Sequence, residues 1–166
     1  MKVDNLQDLF VSDLRYIYHT EKQITKALPK MAKAASSSEL QKAFEEHLEQ
    51  SKRHMERLEQ IFNMFDLSVQ GKKSKGIEGL IGEGEELISK GNKIDSEVMD
   101  ASLIATAQRV EHYEIAAYGT LRTYASLLGH DEAAGLLQQT LDEEKKTDQR
   151  LTQIATKKIN IEAAKG

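Results

Sequence analysis

The sequence predicts an all-α protein: a bundle of four long helices arranged as two antiparallel hairpins. Three observations predict it. Apolar residues recur at helical period along four long stretches, and no segment shows the period-2 alternation of a strand. Two short turns separate the helices of each pair, while one long glycine-rich connection joins the pairs. At 166 residues, with 39% hydrophobic and 30% charged residues, the chain fits one ordinary domain with a real core.

The first helix is expected over residues 4–35, opened by Asp4 with Gln7 at capping-box spacing. Its apolar stripe is Leu6, Phe10, Leu14, Ile17, Ile24, Leu28 and Met31. Pro29 lies inside it and should kink it, because its ring displaces the carbonyl of Thr25. Three serines at 36, 37 and 38 break the pattern, and Ser36 with Glu39 forms a second capping-box candidate. The second helix follows over residues 39–65 on Leu40, Phe44, Leu48, Met55, Leu58 and Phe62. The connection, residues 66–96, holds six of the ten glycines around one short candidate helix, Ile77 to Lys90. The third helix covers residues 97–128, with Gly129 as the residue that stops it. The fourth begins at Asp131 and fades around Asn160. A bundle with one long crossover is the ferritin-like arrangement rather than a simple up-down-up-down one.

Composition removes several function classes. There is no cysteine, so there is no disulfide, thiolate nucleophile, iron–sulfur cluster or cysteine zinc site. Any metal must be held by oxygen and imidazole. The net charge is -4 with basic and acidic residues interspersed, which argues against a nucleic-acid surface. No apolar run approaches the length that crosses a bilayer, and MKVDNLQDLF has no apolar signal region, so a cytoplasmic protein without membrane contact is expected.

The informative residues are acidic ones that face inward. Placed at about 100° per residue, Glu21 falls inside the first stripe between Ile17 and Ile24. The third seam reads Ile104, Ala107, Glu111, Glu114, Tyr118, Leu121, Ala125 and Leu128, with two glutamates at consecutive core positions. The fourth reads Ala133, Leu137, Thr140, Glu144, Thr147, Leu151 and Ile154. On the second helix His47 and His54 share the inner side, Gln50 sits at its margin, and Glu45, Glu49 and Glu56 point outward. Glu21 and His54 are equidistant from the serine turn, and Glu111 and Glu144 nearly so from the Gly129 turn. Residues equidistant from an antiparallel turn lie side by side. Hairpins packed in register therefore bring Glu21, His54, Glu111 and Glu144 to one layer, with Glu114 about 4.5 Å along the axis.

A single inward glutamate is usually a snorkelling or ion-paired residue. Several in one layer repel one another and resist desolvation. Shared protons, or Arg57 and Arg122 reaching inward, are one solution. Two divalent ions are the other, since their charge of about +4 offsets four carboxylates at a dinuclear spacing of about 3.5–4 Å. The metal solution is preferred, with Glu21, His54, Glu111, Glu114 and Glu144 as ligands. Hard oxygen donors with some imidazole suit iron or manganese, and zinc can substitute. His47, a heptad away toward Leu28, is expected to be a satisfied core histidine. With Gln50 and Asp148 it is kept only as a weak ligand or a support to the ligands. His19, His112 and His130 look outward or loop-borne, and Tyr118 reads as plain core.

The stretches YHTEKQITKALPKMAKAA, FEEHLEQSKRHMERLEQIF, QRVEHYEIAAYGTL and LLQQTLDEEKKTDQRL resemble, in order and over nearly the whole chain, the YciF-type ferritin-like stress proteins of bacteria. The resemblance implies a ferritin-like bundle, a homodimer and a dinuclear metal motif. The wider class, rubrerythrins especially, uses Glu on the first helix, Glu-x-x-His on the second, Glu-x-x-Glu on the third and Glu-x-x-His on the fourth. Glu21, Glu111, Glu114 and Glu144 match. His54 stands where Glu is expected, Arg57 where His is expected, and Thr147, beside Asp148, replaces the last His. The expected function is a metal-binding stress protein, with redox chemistry toward dioxygen or peroxide if it is catalytic. Glu111 and Glu114 would bridge or flank the ions. The alternative is a non-catalytic helical interaction protein with a vestigial site. A storage cage or a DNA-binding miniferritin finds less support, because there is no basic tail.

Overall fold

The computed structural model describes residues 3–165. The long helices are α1 (Leu6–Ala34), α2 (Ser38–Met64), α4 (Ser96–Leu127) and α5 (Asp131–Ile154), with a shorter α3 (Lys75–Ser89) in the crossover. After α5 the helix loosens into a π-type turn, Ala155–Ile159, and runs on into α6 (Asn160–Ala163). Ala155 and Ile159 are buried against the core, which carries the helical run on past Ile154. No strand occurs among the described residues, and the fold is the expected all-α bundle.

The caps fall one residue later than the spacing suggested. Asn5, not Asp4, caps α1 by accepting a hydrogen bond from Asp8 N at 2.9 Å, and Asp8 in turn accepts from Asp4 N at 3.1 Å. Ser37, not Ser36, caps α2 through Leu40 N. Ser36 is engaged elsewhere. Its N–H and hydroxyl, with Ser37 N–H, all donate to the buried carboxylate of Asp100 near the start of α4, each at 2.8 Å. Gly129, at φ +76, takes the left-handed conformation that ends α4 without a Cβ penalty.

These ties set the helix directions. The α1–α2 turn meets the start of α4 at Asp100, so the crossover carries the chain back along the bundle. At the opposite end His130 bonds Gln7 near the start of α1 and packs on Phe65 after α2. Each helix packs on antiparallel neighbours: α1 on α2 and α4, α5 on α2 and α4. The crossover helix α3 lies over α1 and α4.

The core is two apolar clusters, not one. Phe10, Leu14, Ile17, Leu58, Phe62, Tyr118 and Leu137 pack toward the Gly129 end. Ile24, Leu28, Phe44, Leu103, Ile104 and Leu151 pack toward the serine turn. Every long helix passes from one cluster to the other through a buried polar residue: Glu21, His54, Glu114 and Glu144.

Asp100 holds three donors from the hairpin turn, and a hydrogen bond to a charged acceptor contributes about 1.5–3 kcal/mol. Asp100→Ala should therefore cost about 3 kcal/mol, or roughly 6–12 °C in Tm for a chain of this size. Thermal melts of the two proteins check it, and an unchanged Tm would mean that the turn does not depend on this contact.

Candidate metal centre

The polar layer arises because helical period carries these residues to the inside of the same helices that supply the core. Glu21, His54, Glu111, Glu114 and Glu144 are each 0% exposed, and His47 is 3% exposed. The structure places these five residues in one buried layer, and His47, kept above only as a weak ligand, lies there with them. Two groups form, and in each one ligand atom per residue lies within 4.8 Å of the others: His47, Glu111, Glu114 and Glu144; and Glu21, His54 and Glu144. Glu144 is common to both. Either group could hold a metal ion.

His47 is not the satisfied core histidine that its heptad offset suggested. Its Nδ1 lies 3.2 Å from Glu111 Oε1 and its Nε2 3.8 Å from Glu144 Oε2, yet neither nitrogen makes an aligned hydrogen bond. The seven residues between His47 and His54 span about 10.5 Å of helix. Glu144, on the facing helix α5, reaches both: its Oε1 is 2.9 Å from His54 Nδ1. Gln50 and Asp148 stand apart from both groups. Gln50 accepts from Thr147, and Asp148 accepts from Gln108 and pairs with His112, which is largely exposed. His19 bonds Gln23 and Ser74 N, and His130 bonds Gln7. Glu45, Glu49 and Glu56 are exposed.

One partner was missing from the sequence reading. Glu143 accepts a hydrogen bond from His54 Nε2 at 2.8 Å and two from Arg57, at 2.9 and 2.8 Å. Arg57 therefore does not reach into the carboxylate layer; it neutralises Glu143 at the α2–α5 boundary. The available signal was Arg57 itself, a guanidinium one turn from His54 that needs an anion on the neighbouring helix. Tyr118 is more than plain core as well, since its phenol donates to Glu21 Oε1 at 2.6 Å.

Charge is unevenly compensated. Burial lowers the basicity of His54, but the Glu144 and Glu21 carboxylates outweigh it and push its pKa up to about 10. Burial alone would raise Glu144, yet contacts with His54 and Glu111 and the charge of the histidines bring it down to about 2. Glu111 and Glu114 have no such partner. Burial first, then the Glu144 and Glu21 charges, lift both well above the usual carboxylate range. Burial likewise holds the His47 imidazole toward its neutral form, the form that binds metal. Among the described residues, no lysine or arginine forms an ion pair with Glu21, Glu111, Glu114 or Glu144. Both oxygens of Glu111, Glu114 and Glu144, both nitrogens of His47 and Glu21 Oε2 are buried without hydrogen bonds.

Known proteins share this chain's sequence and fold. Protein YciF of Escherichia coli (strain K12) is 45% identical over 164 residues, 98% of each chain. The crystal structure of the E. coli stress protein YciF superposes with a TM-score of 0.90, covering 95% of this chain and 99% of that one. YcfI of Rhodopseudomonas palustris, put forward as a structural protein, matches at 42% identity and a TM-score of 0.87, covering 91% and 95%. A protein of Xanthomonas campestris pv. campestris shares the fold at 19% identity, with a TM-score of 0.73 over 90% of each chain. The family described as Domain of unknown function (DUF892) matches over residues 5–164, and the chain belongs to it.

Proposed function

We propose that the buried layer is a dinuclear metal centre, and that the protein is a metal-binding stress protein whose ions, iron or manganese, react with dioxygen or peroxide. One observation carries this reading: a row of buried carboxylate oxygens and imidazole nitrogens has no hydrogen-bond partner. Native proteins rarely leave such groups orphaned, and each costs about 1–3 kcal/mol when it is. Two cations would use them. Glu144 would be shared, with Glu111, Glu114 and His47 holding one ion and Glu21 and His54 holding the other. Iron or manganese there would supply one-electron redox chemistry. Zinc would fit the donors without it.

The protein's own groups prepare this. His54 donates from Nε2 to Glu143, which leaves Nδ1 as the nitrogen facing Glu21 and Glu144. Arg57 fixes Glu143 for that task. Such an outer carboxylate orients a ligating histidine and raises its basicity. Tyr118 holds Glu21 from the other side. The second reading, a helical structural protein with a vestigial site, has one support: the R. palustris relative is put forward as structural. Metal content separates the two.

Binding should release protons, because Glu111, Glu114 and His54 hold them when no cation is present. Metal affinity is then expected to rise with pH, which titration calorimetry in buffers of different ionisation enthalpy will read. Stability without metal should run the other way. The folded pKa values of His54, Glu111 and Glu114 lie above their unfolded ones, so their contribution is lost as pH rises. For His54 the window is about pH 6.5 to 10. Tm of chelator-treated protein should fall across that window. Saturation with metal at 100 times Kd should restore about 2.7 kcal/mol.

Glu114→Gln removes one charge and keeps the shape. It should weaken metal binding and leave the metal-free Tm unchanged or higher, with exposed Glu49→Gln as the control. Wild-type metal content together with a loss of about 3–5 kcal/mol in the metal-free form would make Glu114 half of a buried ion pair and end the metal reading. Glu143→Gln should cost about 10–100-fold in metal affinity, the size expected for an outer partner of a ligating histidine. Equilibrium dialysis measures it, and unchanged affinity would remove Glu143 from the design.

A further inference from the structure

A centre that is fully buried needs a way in, and two openings end on His47. One, between α2 and α5, has a volume of about 100 Å³ and mixed walls, in which Ala43, Phe44 and Leu151 alternate with Glu46, Gln50, Thr147 and Arg150. Arg150 pairs with Glu46 there, and Thr147 bonds Gln50. The other runs beneath α3, between α1 and α4, with a volume of about 30 Å³. It touches Glu111 as well as His47 at its inner end. Lys30 and Glu85 form a 2.7 Å ion pair at its solvent end, and both are more than half exposed.

We propose that the passage beneath α3 delivers dioxygen to the metal centre by a route that disfavours water and peroxide. The proposal rests on the reading of the layer as a redox metal centre. Between its two polar ends the passage is walled by apolar side chains, among them Leu28, Met31, Ile81 and Val110. Its volume of about 30 Å³ exceeds the roughly 10–15 Å³ of such space that one water-sized molecule needs, so a diatomic gas fits. Water or peroxide there would lose hydrogen bonds and find too few partners to replace them. Dioxygen has none to lose. Three other wall residues, Ala27, Gly84 and Ala107, are small. Gly84 sits buried in α3, where a Cβ would come 3.1 Å from Thr106 Cγ2, so it lets α3 seat against α4 with no side chain intruding. Thr106 offers its methyl at that contact. Ala27 and Ala107 keep the α1 and α4 walls short. The cleft between α2 and α5, whose Glu46, Gln50, Thr147 and Arg150 offer hydrogen-bond partners, suits water, protons and peroxide, and it gives the comparison that the test needs.

Xenon reports such a space without metal, since apolar cavities stay dry and take it up. Crystals of metal-free protein under xenon pressure should show one xenon atom beneath α3, close to Ile81 and Ala107. Ala27→Leu, filling from the α1 side, should abolish it, while Ile81→Ala should raise its occupancy. Protein loaded anaerobically with ferrous iron should then gain ferric absorbance on mixing with air-saturated buffer or with peroxide. Ala27→Leu should slow the dioxygen reaction about tenfold or more, the effect of a modest added barrier, with the peroxide rate unchanged. Ala107→Leu closes the same space from α4 and repeats the test on independent packing. No xenon beneath α3 in the parent, or an unaltered dioxygen rate in both filled variants, overturns the proposal. Equal slowing of dioxygen and peroxide also overturns it, because the passage would not discriminate. Failure of the parent to retain iron in dialysis overturns the centre itself, and the assignment of the passage with it. An iron-loaded parent whose filled variants react normally leaves the centre standing and removes only the passage.

Discussion

Four carboxylates placed in the middle of a helical core are the constraint on which the rest of this structure depends. Away from water each resists ionisation, and together they repel. Among the described residues, only His47 and His54 face the layer and can turn cationic, and burial holds His47 toward neutrality. The bundle answers by dividing its apolar core, with one cluster on each side of the polar layer. Those clusters hold four helices around a layer in which Glu111 and Glu114 make no hydrogen bond. Protons on Glu111 and Glu114 can satisfy the charge; cations can satisfy both the charge and the vacant lone pairs.

Glu143 and Glu144 show how adjacent residues are separated by a helix. About 100° apart, Glu144 points to the axis and Glu143 to the α2–α5 boundary. Glu144 is 0% exposed and lies between the two histidines, whereas Glu143 is partly exposed and meets an arginine. His54 touches both. One nitrogen is committed to the neutral Arg57–Glu143 pair, and the other faces the layer. The charge that orients the histidine is thereby kept out of the layer, where it would have added to the repulsion.

The same economy applies to the crossover. A long connection is needed to bring α4 back beside the start of α2, and Asp100 secures its arrival by taking the turn serines. The connection also supplies α3, which covers the α1–α4 side of the polar layer and packs Ile77 fully into the core. A simple up-down bundle would leave that side open to water. The fold persists in the X. campestris protein at 19% identity, as expected of packing that depends on apolar pattern more than on particular residues.

Helix number, the inward faces and the polar layer were legible because each is a one-dimensional property. Period 3.6 places Glu21 between Ile17 and Ile24, and Glu114 between Val110 and Tyr118, whatever the neighbours are. Register from the turns brought Glu21 beside His54, and the structure has them 3.1 Å apart. The readings that changed all concern partners. His47 looked a heptad too far, yet long glutamate side chains on α4 and α5 reach it. Glu143 lies off the stripe, and its partner Arg57 stands on another helix. Ser36 read as a cap, and a carboxylate 64 residues away claimed it. The amino-acid sequence by itself determined which groups are buried. Only the tertiary structure decided which of them meet, because contact depends on the stagger between helices and on side-chain reach, and no period along one chain encodes either.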